Sequence, residues 1–245
     1  MTMTKSRKML YQIITIGLMA ALVYAGNYLQ IKIPNGVLVT RIHLGNSMCL
    51  LAGLLFGGIS GGLASGIGAG LYDLFDPVYI ISAPYTFISK FAMGFTAGAL
   101  RKKGKNERTS ILAAAIIGQL VYIALYLLKT YYTIIIVGGT HQAAWVAVGT
   151  NAITSSVNGI LAVIIAVPLY LTLKKALKNT GIGILINESQ KEKDMVVYSK
   201  WRKPVTATIS VFLAVVVLVF SMNLSASKKI KEAKEKNDTQ LACVI

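Results

Sequence analysis

The stretch from His43 to Phe75 constrains this chain most. It is almost continuously apolar, too long for one membrane crossing and short for two, and crowded with glycine from Gly57 to Gly70. In water such glycines would mark a loop. In lipid every backbone N–H and C=O needs an internal partner. The stretch must therefore be a helix approached very closely by its neighbours, or a helix broken beside a cavity.

The rest of the chain supports a lipid setting. Of its 245 residues 55% are hydrophobic and 14% charged, against roughly 25% charged in a soluble globular protein. Apolar runs that suit a hydrocarbon core of ~30 Å fall near 10–31, 44–57, 59–75, 84–101, 109–130, 144–173 and 205–224. The expected class is all-α, a polytopic membrane helix bundle with six helices over 8–178 and a seventh transmembrane helix over 205–224. Residues 179–204 read as a cytoplasmic polar linker and 225–245 as a charged tail. The basic N-terminus (Lys5, Arg7, Lys8) precedes an apolar run with no convincing A-x-A site, so it reads as a retained first helix with a cytoplasmic N-terminus. No internal repeat points to an inverted-repeat transporter.

Charge orients the spans. The formal net charge of +16 sits in short clusters between apolar runs, the pattern of the positive-inside rule rather than of a nucleic-acid surface. If His43–Phe75 forms two short helices joined around Gly57–Gly58, the clusters Arg101–Arg108 and Lys174–Lys178 both face the cytoplasm. The short external loops then hold Lys32, Arg41 and Lys129. Cys49 and Cys243 form neither a disulfide framework nor a metal motif.

At helical spacing Gly53, Gly57 and Gly61 make one small-residue ladder, and Gly58, Gly62, Gly66 and Gly70 another. Such ladders let helices pack closely in lipid. No phosphate-binding loop is present. The first helix carries Gly17, Ala21 and Ala25, a face for internal packing or for another protein's helix. The residue pattern alone favours internal packing.

Ionisable groups within spans are functional candidates because they are costly there. Asp73 and Lys90 both fall in the outer half of the bundle, where they either pair or flank a ligand; Asp76, at a boundary, reads as solvated. Two polar stripes join them. Gln119, Tyr122 and Tyr126 run into Lys129 and Thr130, and Asn151, Thr154, Ser155 and Asn158 share one helical face. Tyr72, Tyr79, Tyr85 and Phe87 supply stacking area for a flat ligand. The loop "KIPNGVLVTRIHLGN" contains a Pro34-Asn35-Gly36 turn signal, then Arg41, His43 and Asn46, and reads as a lid. His43 lacks a partner at metal-ligand spacing, so neither a metal nor a cofactor is expected.

The segments "TRIHLGNSMCLLAGLLFGGISGGLASGIGAGLYDLFDP" and "APYTFISKFAMGFTAGAL", with the Ala21-x-x-x-Ala25 step, resemble the substrate-binding S components of energy-coupling factor (ECF) vitamin transporters, nearest the riboflavin-type branch. The resemblance spans about residues 8–178. It implies a six-helix bundle that binds a vitamin or precursor near the outer face, under the first external loop. It also implies that Gly17, Ala21 and Ala25 dock on a transmembrane T subunit carried by two ATPases, which reverses the packing preference above. The site then lies in the cell membrane of a prokaryote. Riboflavin and a thiamin pyrimidine precursor both remain open as ligands. The seventh span and tail depart from the family pattern.

The chain carries no Walker motif, and Asp73 is its only clear intramembrane acid. Both fit a binding subunit that borrows energy from partners better than the alternative, a stand-alone secondary transporter. An intramembrane enzyme finds no support: HExxH, G-x-S-x-G and a Cys/His pair are all missing from the sequence.

Overall fold

The computed structural model describes residues 5–35, 38–101, 107–184 and 186. The anticipated seventh span, the charged tail and most of the linker lie outside the described residues. Among the described residues the long helices are α1 (Lys5–Tyr28), α2 (Gly45–Phe56), α3 (Gly58–Phe75), α4 (Ala83–Leu100), α5 (Glu107–Ile136) and α6 (His141–Ala176). Between α1 and α2 stand two antiparallel strands, β1 (Gln30–Asn35) and β2 (Leu38–His43), paired from Gln30↔His43 to Asn35↔Leu38. A single 3-10 turn, Ile80–Ser82, precedes α4.

The outside of the bundle is apolar, with Ile13, Leu18, Leu71, Ile88, Ile153 and Ile164 exposed, whereas Asn27, Asn46, Ser65, Asp73, Lys90, Gln119 and Asn151 are buried. That inside-out distribution suits lipid, where polar side chains turn inward. By length and hydropathy alone, Met9–Tyr28, Glu107–Ile136 and His141–Ala176 could each cross a membrane. Helix α5 continues past residue 130 and α6 starts before 144, so Lys129 sits within a helix rather than in an external loop. Thr140 caps α6 by accepting from the Ala143 N–H at 3.2 Å, and Gly138, at φ 85°, supplies the turn before it.

The glycine stretch does break. Gly57 has φ 87° and ψ −176°, a backbone state open in practice only to glycine. It stops α2 and starts α3 with no loop between them. On either side the glycines bring backbones together. A Cβ on Gly53 would lie 2.3 Å from the Gly94 carbonyl oxygen, one on Gly61 2.4 Å from the Gly53 Cα, and one on Gly98 2.3 Å from the Gly57 carbonyl carbon. Gly62 and Gly66 face Phe91 and Phe87 of α4, and Gly70 faces Phe87 more loosely, at 3.3 Å; Gly58 is buried at the start of α3.

Helix α2 is short, as the division of His43–Phe75 into two short helices expects. Twelve residues rise about 18 Å, less than a hydrocarbon core. All of them except Met48 are buried, so α2 is a central post walled by the other helices. Its inner end is level with Gly98 of α4, through Gly57, and its first turn is level with Lys90, through Asn46. The turns of α4 before Lys90 therefore rise above it on the hairpin side.

The start of the expected linker also folds onto the bundle. Gly181 meets the Tyr11 ring of α1, and Ile182 and Ile186 pack into the main core with Leu177. The six-helix unit thus runs beyond residue 178.

Candidate ligand-binding site

Above α2 lies a cavity of about 160 Å³. Its walls are β2, the Val78–Ser82 loop, and the hairpin-side halves of α4, α5 and α6.

The stretch expected to be a loose lid is instead a β-hairpin anchored from below. Asn158 of α6 accepts from the His43 N–H at 2.9 Å and donates to the Arg41 carbonyl at 2.7 Å. Thr154 bonds to Thr40 at 3.1 Å, one turn away. Lys32 of β1 pairs with Asp76 at 2.7 Å. Asp76, expected to be solvated, is 8% exposed and also accepts from the Val78 N–H at 3.0 Å. Burial raises the pKa of its carboxyl, but the bonds from Lys32 and Val78 outweigh this and leave it below the ordinary value.

Arg41 points into the site. Its Nη2 donates to Asp73 Oδ1 at 2.5 Å, and Thr86 donates to the other carboxylate oxygen at 2.6 Å. The guanidinium lies over the Tyr79 ring, 4.2 Å from the centroid, and 5.2 Å from that of Tyr72. Opposite, Tyr122 and Tyr126 stack at 5.9 Å with planes 16° apart. Lys129 donates to Ser82 Oγ at 2.6 Å, Tyr85 OH donates to the Leu125 carbonyl, and Asn151 donates to Thr130 at 3.0 Å. Two faces of aromatic surface, fixed donors and one satisfied carboxylate thus surround the cavity.

Of the residues singled out from sequence, Arg41, His43, Asp73, Tyr79, Tyr85, Tyr122, Tyr126, Lys129, Thr130, Asn151, Ser155 and Asn158 line it. Others do not. Lys90 does not pair with Asp73: it lies a layer deeper, 1% exposed, donates to Asn46 Oδ1, and sits 3.6 Å from the Tyr122 ring centroid. Asn46 belongs to the buried first turn of α2, not to a lid. Gln119 is buried against Gly159. Thr154 is spent on the hairpin. Asn35 ends β1. Tyr72 packs with Tyr24 and Tyr28 beside α1, and Phe87 stacks on Phe91 away from the cavity.

Sequence reasoning missed Thr40, Ser82, Thr86 and Ser89 as lining residues, and read Lys129 both at the end of the fifth-segment stripe and in an external loop. Thr86 and Ser89 did carry a signal: with Tyr85 and Lys90 they make α4 polar over its first half. Among the described residues no cluster of His, Cys, Asp and Glu could hold a metal ion.

On α1, Gly17, Ala21 and Ala25 lie on the exposed side with Ile13, Leu18 and Leu22, and nothing lies within 4 Å of a Cβ placed on Gly17. Among the described residues they are not packed inside the bundle, as the residue pattern alone would favour.

Comparison with known proteins places this architecture. A family model for the ECF-type riboflavin transporter S component matches residues 7–175. Two solved structures share the fold. One, described as the S component of a bacterial ECF transporter, is 20% identical with TM-score 0.55, over 69% of this chain and 98% of that one. The other, an S-component for biotin from an ECF-type ABC transporter, is 19% identical with TM-score 0.52, over 71% and 95%. No curated protein matches the chain. At such identities the structures establish the helical arrangement and not the ligand. The family match spans well over half of the sequence, and the chain belongs to the ECF-type riboflavin transporter S-component family: it is a membrane-embedded vitamin-binding subunit rather than an enzyme.

Proposed function

We propose that this subunit captures riboflavin or a close analogue at the outer face of the cell membrane. It releases the vitamin to the cytoplasm in complex with a transmembrane T subunit and two ATPases. The observation that carries the reading is the cavity between Arg41 and the Tyr122–Tyr126 stack, whose aromatic faces suit a flat heterocycle. Asp73, Tyr85, Asn151, Ser155 and Asn158 complete the site. Lys90, Asn46 and Gln119 support it from beneath.

Orientation follows from charge. Lys5 and Arg7 at the start of α1, Arg101 just after α4, Arg108 in the first turn of α5, Lys174 and Lys175 in the last turn of α6, and Lys178 just beyond it all lie at the end of the bundle away from the hairpin. The positive-inside rule makes that end cytoplasmic. The exposed Gly17–Ala21–Ala25 face suits close approach of a partner helix in lipid. Residues 8–178, with the segment through Ile186 packed on them, form the substrate-binding bundle; the rest of 179–204 is a cytoplasmic linker, 205–224 a further span and 225–245 a tail.

The test is a gentle-detergent purification from native membranes with mass spectrometry of the proteins and small molecules retained. Two ATPases, one larger membrane protein and a flavin are expected. Isolation of the protein alone, with no partner, would favour a self-contained carrier and overturn the assignment of an ECF partner module.

A further inference from the structure

Charge in the cavity is unbalanced. Arg41 and Lys129 both line it, and Asp73 is the one carboxylate among its walls. Both Asp73 oxygens are already used, one by Arg41 and the other by Thr86. Lys129 makes no ion pair among the described residues; its ammonium, with three donors, has Ser82 Oγ at 2.6 Å and the Tyr85 ring 6.0 Å away. Arg41 Nη1 is buried with no hydrogen-bond partner. Beneath the floor Lys90 adds a third cation, held by the neutral Asn46. A cation buried in a lipid-embedded site without a carboxylate is costly, and an unmade donor adds to the cost.

We propose that Lys129 is a ligand-contacting residue that sets specificity. With the Arg41 guanidinium in the same wall, its ammonium receives an acceptor-rich edge of the substrate, a run of carbonyl oxygens and ring nitrogens or an anionic group. The class of substrate this selects is a flat heterocycle with acceptors along one edge, its face against Tyr122 and Tyr126. A cationic heterocycle of the same size is repelled, because the cavity already carries more positive than negative charge. The inference rests on the riboflavin-type reading above, since that reading supplies a flat, acceptor-rich ligand.

The experiment titrates riboflavin into the purified full-length protein, followed by quenching of flavin fluorescence. Wild type, Lys129→Met and Lys129→Arg are compared, with ligand-free melting curves for each and thiamin as a cationic competitor. Wild type should saturate. Lys129→Met should weaken binding about ten- to hundredfold, the range for a hydrogen bond to a charged group, without a lower melting temperature. Lys129→Arg should recover most of the affinity, and thiamin should not compete. Should Lys129→Met fail to fold, Lys129→Gln replaces it with the same expected loss. Wild-type affinity in the neutral variant, or competition by thiamin, overturns the role of Lys129 and leaves the riboflavin reading standing. No quenching by the wild-type protein overturns the riboflavin reading, and the inference falls with it.

Discussion

The side chain of Asn158 stands beside His43 as a neighbouring strand would, accepting from its backbone N–H at 2.9 Å while donating to the carbonyl two residues earlier, on Arg41. One amide on α6 thereby sets the height of β2 above the cavity and the point from which the Arg41 side chain departs. Asn158→Leu leaves a buried N–H and C=O unmatched, at about 1–3 kcal/mol each. The expected result is at least a tenfold loss in riboflavin affinity, measured by fluorescence quenching, with the purified bundle still helical by circular dichroism. Unchanged affinity would mean that the hairpin is placed by Thr154 and Lys32 alone.

Asp73 and Arg41 form a nearly buried pair. Removing one member of such a pair costs about 3–5 kcal/mol, because the other charge is stranded. Asp73→Asn should lower the melting temperature and weaken ligand binding together. The double variant Asp73→Leu, Arg41→Met should regain stability without regaining binding. If Asp73→Asn alone melts like wild type, the pair is not what holds Arg41.

Glycine positions divide by what stands opposite. A methyl group at Gly53 meets the Gly94 carbonyl at 2.3 Å, while one at Gly17 meets nothing. Gly53→Ala should destabilise by about 1–3 kcal/mol or more through overpacking. Gly17→Ala should be neutral or stabilising, since alanine is the better helix former by about 1 kcal/mol. Thermal melts in detergent separate the two. Equal melting temperatures would remove the close-approach account of the α2–α4 contact.

His43 titrates against the fold. Burial, with the charges of Lys90 and Arg41 behind it, holds its imidazole well below the ordinary value. The neutral ring also accepts from the Gly45 N–H at 3.1 Å. With the folded value below the unfolded one of about 6.5, its contribution is complete above that pH and is lost as pH falls below it. The melting temperature should therefore hold from about pH 8 to 7 and drop toward pH 5, and His43→Gln should flatten that slope. A slope identical in the variant would assign acid sensitivity to other groups.

Among the described residues the Gly17–Ala21–Ala25 face is exposed. Ala21→Leu with Ala25→Leu should leave riboflavin affinity within about twofold, as an exposed change far from the cavity, yet abolish ATP-dependent uptake in cells. Lost affinity would return this face to the core.

Much of this was legible in one dimension, for a physical reason. A helical face repeats every three to four residues, so Tyr122 with Tyr126, and Asn151 with Ser155 and Asn158, declared themselves as stripes. Depth did not. Lys90 and Asp73 are equally polar in the sequence, but only the recess of α2 decides that one lines the cavity and the other lies under it. The hairpin was hidden because its Pro-Asn-Gly turn signal drew attention from the alternation in Ile31-Lys32-Ile33 and Val39-Thr40-Arg41. Lys129 was read both at the end of the Tyr122–Tyr126 stripe and in an external loop, because a lysine usually ends an apolar run. Here the cavity shelters it inside α5. Asp76 looked free because its partner, Lys32, is far away in sequence.

The shortness of α2 has a consequence for how such a protein could change its cargo. Because the central post ends level with Lys90, the volume above it is bounded by β2, a loop and the side chains that the surrounding helices turn inward, not by the post itself. Substitutions there reshape an alcove without disturbing the glycine-welded pillars around it. A lineage of such chains could therefore trade one vitamin for another while the scaffold that meets the membrane, and any common partner, stays constant.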